Sequence, residues 1–173
     1  MEAMNYLLKL GHVRIGFISG RYDLQSAMSR LRGYEESLKN AGIPIDTDLV
    51  TQGDFTADSG LRCARHLLSL PNRPTAIFAA NDEMALGVYQ AAHEAGLSIP
   101  EDLSVVGFDN IPEASQSEPG LTTIHQPIQE MGKIAVQMLV RLIGGEFLEE
   151  NVIKTSTCLV IRDSCQVLDA VRR

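Results

Sequence analysis

The chain is poor in the residue types that mark small secreted proteins. Among 173 residues it has no tryptophan, 5% aromatic residues and three cysteines. Cys63, Cys158 and Cys165 are far apart and form no C-x-x-C pair, so their spacing implies no disulfide framework and indicates free thiols in a reducing compartment. No signal-peptide pattern stands at the beginning, and no apolar run is long enough to span a membrane. We therefore expect a cytoplasmic protein that does not bind a membrane.

An excess of positive charge is also absent. The formal net charge is −7, so we do not expect a basic face that contacts the phosphates of a nucleic acid. If the parent protein binds DNA, a different segment supplies the contact surface. The hydrophobic fraction of 45% is that of an ordinary globular protein, and the length suits one domain with a substantial core.

Motifs for catalysis, cofactors and metals are missing too. No G-x-G-x-x-G follows a predicted strand, and neither a Walker A loop nor a G-x-S-x-G elbow occurs. The four histidines are isolated, and no two have the spacing of a metal site. The adjacent Asp82 and Glu83 point to different faces of a predicted helix, which makes them a poor acid–base pair. We therefore expect no enzyme activity, no cofactor and no metal.

Apolar runs alternate with stretches of helical periodicity along the whole chain. The apolar runs predict strands at 13–18, 48–52, 74–80, 104–108, 121–125, 152–154 and 157–161. Helical spacing and capping residues predict helices at 24–41, 56–69, 81–95 and 127–143. Buried strands separated by helices predict an α/β fold with a doubly wound parallel sheet.

Polar and aromatic residues follow the predicted strands at the edge where such sheets bind ligands. Phe55 follows the second strand, Asn81 the third, and Asp109 the fourth. An aromatic ring beside amide and carboxylate groups suits a small polar ligand with one apolar face. Each residue also has a purely structural interpretation: Asn81 caps its helix, Asp109 forms a turn, and Phe55 belongs to the core. Arg30, on a helix, has the interpretation of a solvated charge. Their collection at one edge favours a binding site.

Six segments, taken in order, resemble motifs of the lactose/galactose repressor family. They are LGHVRIGFI (10–18), RLRGY (30–34), GIP (42–44) with GDF (53–55), PTAIFAANDEMALG (74–87), SVVGFDN (104–110) and LTTIHQP (121–127). The segment at 74–87 is the most specific of them. The resemblance covers nearly the whole chain.

This resemblance implies a type I periplasmic-binding-protein-like sensor domain with two lobes, which a helix-turn-helix headpiece precedes in the family. Effector binding between the lobes would change the DNA affinity of a homodimer. By motif position, Arg30, Asn81 and Asp109 would be polar contacts to the effector, Phe55 an aromatic platform, and Gln126 a further contact. The expected effector is a sugar, or a nucleoside or purine, which needs the same elements. DNA would be bound only through a headpiece that this sequence lacks.

In family terms the chain should hold one complete lobe and part of the other. Residues 11–126 and 146–165 would form the second lobe, residues 1–10 and 127–145 would be remnants of the first lobe, and residues 166–173 a tail. The apolar stripe of helix 127–143 would then lack its usual cover; its residues are Ile128, Met131, Ile134 and Met138. Because such exposed patches are rare in monomers, we expect a partner copy or a displaced first helix to bury the stripe.

Other assignments stay open. The face of helix 81–95 that carries Met84, Val88 and Ala91, with the segment after Asn110, is a candidate dimer surface, although these three residues fit a core position equally well. A stand-alone periplasmic sugar-binding protein of a transporter would share the fold but be exported, and an α/β enzyme would use Asn81 and Asp109. The segments at 74–87 and 104–110 favour the sensor domain of a transcriptional repressor.

Overall fold

The computed structural model describes residues 1–147 and 152–168, with a six-stranded sheet at the centre. The strands are β1 (Ile15–Ser19), β2 (Val50–Gln52), β3 (Ala76–Ala79), β4 (Ser104–Asp109), β5 (Thr122–His125) and β6 (Cys158–Val160). Their order in the sheet is β2-β1-β3-β4-β5-β6. Strands β1 to β5 are parallel, and β6 pairs antiparallel with β5.

Helices cover both faces of this sheet. They are α1 (Glu2–Lys9), α2 (Gln25–Asn40), α3 (Ala57–Ser69), α4 (Asp82–Glu94), α5 (Pro112–Gln116) and α6 (Ile128–Ile143). Helix α1 packs beside α2, and α3 packs beside α4. The predicted α/β fold with a doubly wound, mainly parallel sheet is confirmed. We call the sheet together with α1–α5 the sheet lobe.

The central strands are buried because helices cover both of their faces. Every residue of β1 and of β3 is buried, which explains why both segments are apolar along nearly their whole length. Phe17 of β1 stacks on Tyr34 of α2 with 5.0 Å between the ring centres. The Tyr34 hydroxyl donates a hydrogen bond to the backbone oxygen of Ile15 at 2.9 Å, so its polar atom is satisfied inside the core.

Helices α3 and α4 approach each other closely through glycine. A Cβ atom at Gly60 would lie 2.2 Å from the backbone oxygen of Met84, and one at Gly87 would lie 2.2 Å from the backbone oxygen of Ala57. Side chains at these two positions would push the helices apart. The close crossing fixes α4, whose first turn forms part of the candidate site.

Two of the predicted strands differ in the structure. The strand predicted at 48–52 begins only at Val50, because Thr47–Leu49 forms a 3-10 turn that starts where the Asp46 carboxylate accepts a hydrogen bond from the Asp48 N–H. The strand predicted at 152–154 is wrong, since these described residues are irregular. Strand β6 occupies the edge of β5 that such a strand would need.

The assignment of residues 1–10 to another lobe does not agree with the packing of α1. Ala3, Met4 and Leu7 are at most 2% exposed and belong to the core of the sheet lobe. The apolar face of α1 lies beside α2 and against the strands, so this helix is part of the sheet lobe.

The predicted tail at 166–173 also begins inside the sheet lobe. The backbone N–H of Gln166 donates to the Ser104 hydroxyl at 3.2 Å, and the backbone N–H of Leu168 donates to the Leu10 oxygen at 2.8 Å. These bonds fix the first residues of the tail to two parts of the lobe. Residues 169–173 lie outside the described residues, and the other lobe boundaries stay predictions.

Helix α6 is unlike the other long helices because none of its residues is buried. Large apolar side chains are exposed around it at Ile128, Met131, Val136, Leu139, Val140, Leu142 and Ile143. The predicted cover by a displaced first helix is wrong, because α1 packs in the sheet lobe. Cover by a partner copy stays a prediction. Among the described residues, no helix has both the length and the apolar character to cross a membrane.

The dimer surface predicted on α4 is wrong. Met84 and Val88 are 0% exposed and Ala91 is 1% exposed, so these side chains lie in the core between α4, α3 and the sheet. Their alternative interpretation as core residues is the one that the structure bears out.

Candidate functional site

The candidate site lies at the carboxyl edge of the sheet. Strand β1 has β2 on one side and β3 on the other, so the strand order reverses at β1. The connections on the two sides of β1 run over opposite faces, which leaves a crevice outside the strand ends. Residues that directly follow β1, β3, β4 and β5 converge on this crevice.

Arg30 of α2 is held among aromatic rings and is not a solvated charge. Its guanidinium carbon lies 4.0 Å from the centre of the Phe108 ring and 5.9 Å from that of Phe55. One of its nitrogens is 3.6 Å from Asp109 Oδ1, and only 14% of the Arg30 side chain is exposed. Burial lowers the pKa of the guanidinium, while the Asp109 charge acts in the opposite direction. Stacking and ion pairing therefore fix this cation beside the crevice.

Asp109 ends β4 in a backbone conformation that side-chain-bearing residues rarely adopt. Its φ is +119°, and that of Asn110 is +60°. The Asp109 carboxylate lies near Arg30 and accepts a hydrogen bond from the Gln126 amide. Burial raises the pKa of this carboxyl, and Arg30 and Gln126 act to lower it. The carboxylate is thus a half-buried acceptor with a cation and an amide donor beside it.

Phe55 lies on a loop and rests directly on a glycine. A Cβ atom at Gly20 would lie 1.9–2.5 Å from three atoms of the Phe55 ring, so no other residue at position 20 leaves room for the ring. Phe55 also has a positive φ of +73°. The ring is half-buried and packs against the core. The aromatic platform has a defined support, and its contact with an effector stays a prediction.

Asn81 is the N-cap of α4, as its structural interpretation predicts. Its Oδ1 accepts a hydrogen bond from the Met84 N–H at 3.0 Å. Its Nδ2 donates to the backbone oxygen of Phe55 at 2.9 Å. The residue is 7% exposed, so its amide mainly joins α4 to the Phe55 loop. A direct contact of Asn81 with an effector stays a prediction.

All five predicted site residues are neighbours in the structure. Arg30 lies next to both Phe55 and Asp109. Gln126 binds the Asp109 carboxylate, and Asn81 binds the Phe55 backbone. The strand-end rule, which named Phe55, Asn81 and Asp109, and the family motifs, which added Arg30 and Gln126, therefore led to one connected cluster. The individual roles of these residues in binding stay predictions.

Two residues of this region were missed from the sequence. Phe108 supports Arg30, and its position directly before Asp109 at the end of β4 was the available signal. Asp82 follows the N-cap of α4 and was dismissed as half of an acid–base pair. Its side chain is completely buried and accepts a hydrogen bond from the Thr123 hydroxyl of β5, a contact that no sequence pattern reveals.

A cavity of about 770 Å³ opens beside Asp109, between the loop after β4 and the first turn of α6. This volume lies in the range of small-molecule sites. Arg162 donates to Asn110 Oδ1 at 2.7 Å, and Asn110 Nδ2 lies 3.2 Å from His125 Nδ1. These side chains extend the polar lining from β4 and β5 towards the segment after β6.

The fold is that of one lobe of a periplasmic-binding-protein-like domain, and the crevice is its candidate ligand site. Residues 4–165 match the family model described as "Periplasmic binding protein-like domain". The chain belongs to this family, and its resemblance to lactose/galactose repressors is confirmed by its relatives.

Those relatives are repressors. The chain is 42% identical over 162 residues to the Ribose operon repressor of Escherichia coli (strain K12), covering 94% of this chain and 49% of that repressor. It is 40% identical over 167 residues to the HTH-type transcriptional repressor CytR of the same strain, covering 96% of this chain and 49% of CytR. The chain thus spans about half the length of the curated relatives that it matches.

Solved structures of regulators agree with this relationship. A transcriptional regulator CelR–cellobiose complex superposes with a TM-score of 0.90 at 39% identity, covering 94% of this chain and 50% of that chain. A putative transcriptional regulator LacI from Bacillus cereus subsp. cytotoxis NVH 391-98 superposes with a TM-score of 0.93 at 32% identity, covering 97% and 60%. All four of these proteins are named as repressors or transcriptional regulators, which favours the sensor domain over both alternatives.

Proposed function

We propose that this chain is the effector-sensing part of a bacterial transcription repressor, with a sugar or a nucleoside as effector. The observation that carries the proposal is the cluster of Arg30, Asp109 and Gln126 beside the Phe55 ring at the carboxyl edge of the sheet. Homology to repressors supports the regulatory role.

Sugar hydroxyls match the hydrogen-bonding groups of this cluster. A hydroxyl both donates and accepts, so two neighbouring hydroxyls can accept from the Arg30 guanidinium and donate to the Asp109 carboxylate. The apolar face of a sugar ring or a base would lie on Phe55. Two similar proteins are named for sugars, the Ribose operon repressor and the CelR–cellobiose complex, which favours a sugar over a purine.

Regulation would couple this crevice to DNA through parts outside the chain. An effector held between the sheet lobe and a second lobe would change the DNA affinity of the parent repressor, which acts in the cytoplasm. DNA contact would fall to a separate headpiece, since the net charge of −7 does not suit phosphate binding. No cofactor and no catalytic step form part of this proposal.

The binding test is a thermal-shift and calorimetric titration of the chain with D-ribose, cellobiose and adenosine. One ligand class should raise the melting temperature by mass action. Asp109→Ala should abolish this rise, because it removes the acceptor in the cluster. Asp48→Ala is the matched control, since Asp48 is exposed in the 3-10 turn that directly precedes β2, at the amino end of that strand.

Three outcomes separate the possibilities. A rise that is lost in Asp109→Ala and kept in Asp48→Ala supports the site. A rise that survives in both variants would place binding elsewhere in the chain. The absence of any rise with all three ligands would contradict sugar or nucleoside sensing by this chain alone.

We also propose that two copies of the chain associate through α6. The exposed apolar side chains of this helix form a surface of the kind that a monomer rarely leaves uncovered. Leu139→Lys should shift a dimer to monomer in light scattering, whereas Gln137→Lys, on the same exposed helix, should do so much less. A wild-type chain that is monomeric at all concentrations would contradict this proposal.

A further inference from the structure

Asp82 is a carboxylate that has no contact with solvent. It is 0% exposed, and among the residues that the structure describes it is the only buried Asp or Glu. Its Oδ1 accepts a hydrogen bond from the Thr123 hydroxyl at 2.5 Å, and its Oδ2 accepts one from the Ile111 N–H at 2.9 Å. One side chain of α4 therefore joins strand β5 and the loop that follows β4.

The neighbouring strand leaves room for this carboxylate. A Cβ atom at Gly107 of β4 would lie 2.1 Å from Asp82 Oδ1, so a side chain there would displace the carboxylate. Burial raises the pKa of Asp82, while the hydrogen bonds from Thr123 and Ile111 act to lower it. A buried carboxylate is costly unless hydrogen bonds compensate the lost water, so this position is specifically built for an acid.

The loop that Asp82 holds contains the central acid of the proposed site. Asp109 and Asn110 both have positive φ values, of +119° and +60°, which are unfavourable for side-chain-bearing residues and persist only where neighbouring contacts fix them. The hydrogen bond to the Ile111 N–H comes directly after these two residues. It fixes the direction in which the chain leaves Asp109.

The same turn of α4 also holds the other side of the crevice. Asn81, one residue before Asp82, binds the backbone oxygen of Phe55. Thr123, the partner of Asp82 on β5, lies three residues before Gln126, which binds the Asp109 carboxylate. The chain segments that carry Phe55, Asp109 and Gln126 are therefore all hydrogen-bonded to Asn81 or Asp82.

We infer that Asp82 is a positioning residue of the proposed effector site, whose carboxylate fixes the Asp109–Ile111 backbone so that the Asp109 side chain meets Arg30 and Gln126. The inference rests on the proposed function and deepens it, because Asp82 would set effector affinity without touching the effector. A residue with only a structural role would instead change the stability of the whole sheet lobe.

The first measurement needs no ligand. Hydrogen–deuterium exchange of the full chain is compared for wild type, Asp82→Asn and Glu83→Gln. The Asn110 and Ile111 amides should exchange at least about tenfold faster in Asp82→Asn, because one acceptor of the pair is lost. Glu83→Gln removes a charge from the same helix turn at an exposed position and should leave these amides unchanged.

Two results of this measurement would overturn the inference. Unchanged exchange at 110–111 would mean that Asp82 does not hold the loop. A uniform acceleration that includes β1 and β3 would mean a merely structural role. If Asp82→Asn does not fold, Asp82→Ala decides in its place, since it removes both acceptor oxygens, including the one that binds the Ile111 N–H, and adds no polar group. Local acceleration at 110–111 in that variant supports the inference, and unchanged exchange overturns it.

The second measurement is a double-mutant cycle on affinity, by calorimetry with D-ribose, cellobiose and adenosine. Asp82→Asn should weaken binding about tenfold or more in the wild-type background. It should have a clearly smaller effect in the Asp109→Asn background, where the amide oxygen keeps one acceptor and binding stays measurable. Equal weakening in both backgrounds would overturn the inference, because Asp82 would then act independently of Asp109. If wild type binds none of the three probes, the proposed function fails for them, and the exchange measurement still decides the role of Asp82.

Discussion

Helices α3 and α6 have similar amphipathic sequences and opposite environments. Helix α3 buries one face against α4 and the sheet, with Cys63, Ala64 and Leu67 in the core. Helix α6 has an apolar face at least as extensive, yet none of its residues is buried. The apolar period of 3.6 residues is the same signal in both cases. This period therefore shows that one face of a helix must pack against another surface, but it does not show which surface that is.

The largest expected difference between the two regions comes from truncating a leucine in each. Leu67→Ala removes a completely buried side chain and should lower the free energy of unfolding by about 2–5 kcal/mol. Leu139→Ala changes a side chain that is 56% exposed in the single chain and should stay within about 0.5 kcal/mol at protein concentrations where the chain is monomeric.

Urea unfolding followed by tyrosine fluorescence measures this difference, because the four tyrosines all lie outside α6 and no tryptophan is present. Each variant is its partner's control. Losses of equal size would show that α6 is as deeply covered in solution as α3, which would end the contrast between them.

Adding a methyl group to a glycine should act in opposite directions in the two regions. A Cβ at Gly87 meets backbone atoms of α3, so Gly87→Ala should cost about 1–3 kcal/mol of unfolding free energy. A Cβ at Gly132 of α6 meets nothing within 4 Å, and alanine favours a helix over glycine by about 1 kcal/mol.

Far-UV circular dichroism and urea unfolding check this pair. Gly132→Ala should keep or increase the helical signal without loss of stability, while Gly87→Ala lowers the urea midpoint. A destabilising Gly132→Ala would reveal a close neighbour of α6 in solution.

The smallest expected effect concerns acid stability of the sheet lobe. The Thr56 hydroxyl, followed by Ser59 and the Thr56 N–H, lowers the pKa of Asp54 from 3.8 to about 2. Because the folded pKa is depressed, Asp54 contributes stability above pH 3.8, and this contribution is lost as the pH falls through about 2. The effect should be small, since the carboxylate is exposed to solvent.

When the pH falls from 3.8 to about 2, Asp54→Asn should therefore lose less stability than wild type. The unfolding free energies of the two proteins should become equal near the lower pH. Urea midpoints from tyrosine fluorescence at stepped pH report on the sheet lobe, because the four tyrosines lie outside α6. Parallel pH curves for the two proteins would contradict the role assigned to the Thr56 hydrogen bond.

Much of the fold could be predicted because it depends on local patterns. Uniformly apolar strands and capped helices gave the parallel sheet, and the N-caps Thr56 and Asn81 are where the sequence places them. The 3-10 turn at Thr47–Leu49 and the short helix α5 escaped prediction because each spans one turn and has little periodicity. The strand predicted at 152–154 is absent because a strand needs a free sheet edge to pair with, and β6 already occupies the edge at β5. A sequence pattern does not show whether an edge is free.

The candidate site was predictable as a location and less so as a set of contacts. The rule that parallel strands bind ligands at their carboxyl ends brought Phe55, Asn81 and Asp109 together in advance. It did not reveal that the Asn81 amide is already engaged by Phe55 and Met84. It places Asp82 directly after Asn81, but it did not reveal that the Asp82 carboxylate is buried, because a buried carboxylate resembles an exposed one in sequence.

The sequence by itself determined the α/β class, the parallel sheet and the edge that carries the site, because strand pairing and crossover direction follow from general backbone geometry. Only the tertiary structure decided that α1 belongs to the sheet lobe, that α6 is left uncovered, and that Asp82 joins α4 to β5 and the loop after β4. These packing arrangements depend on contacts between surfaces that are far apart in the sequence. Whether two such surfaces fit together depends on the shapes of both, which local sequence patterns do not give.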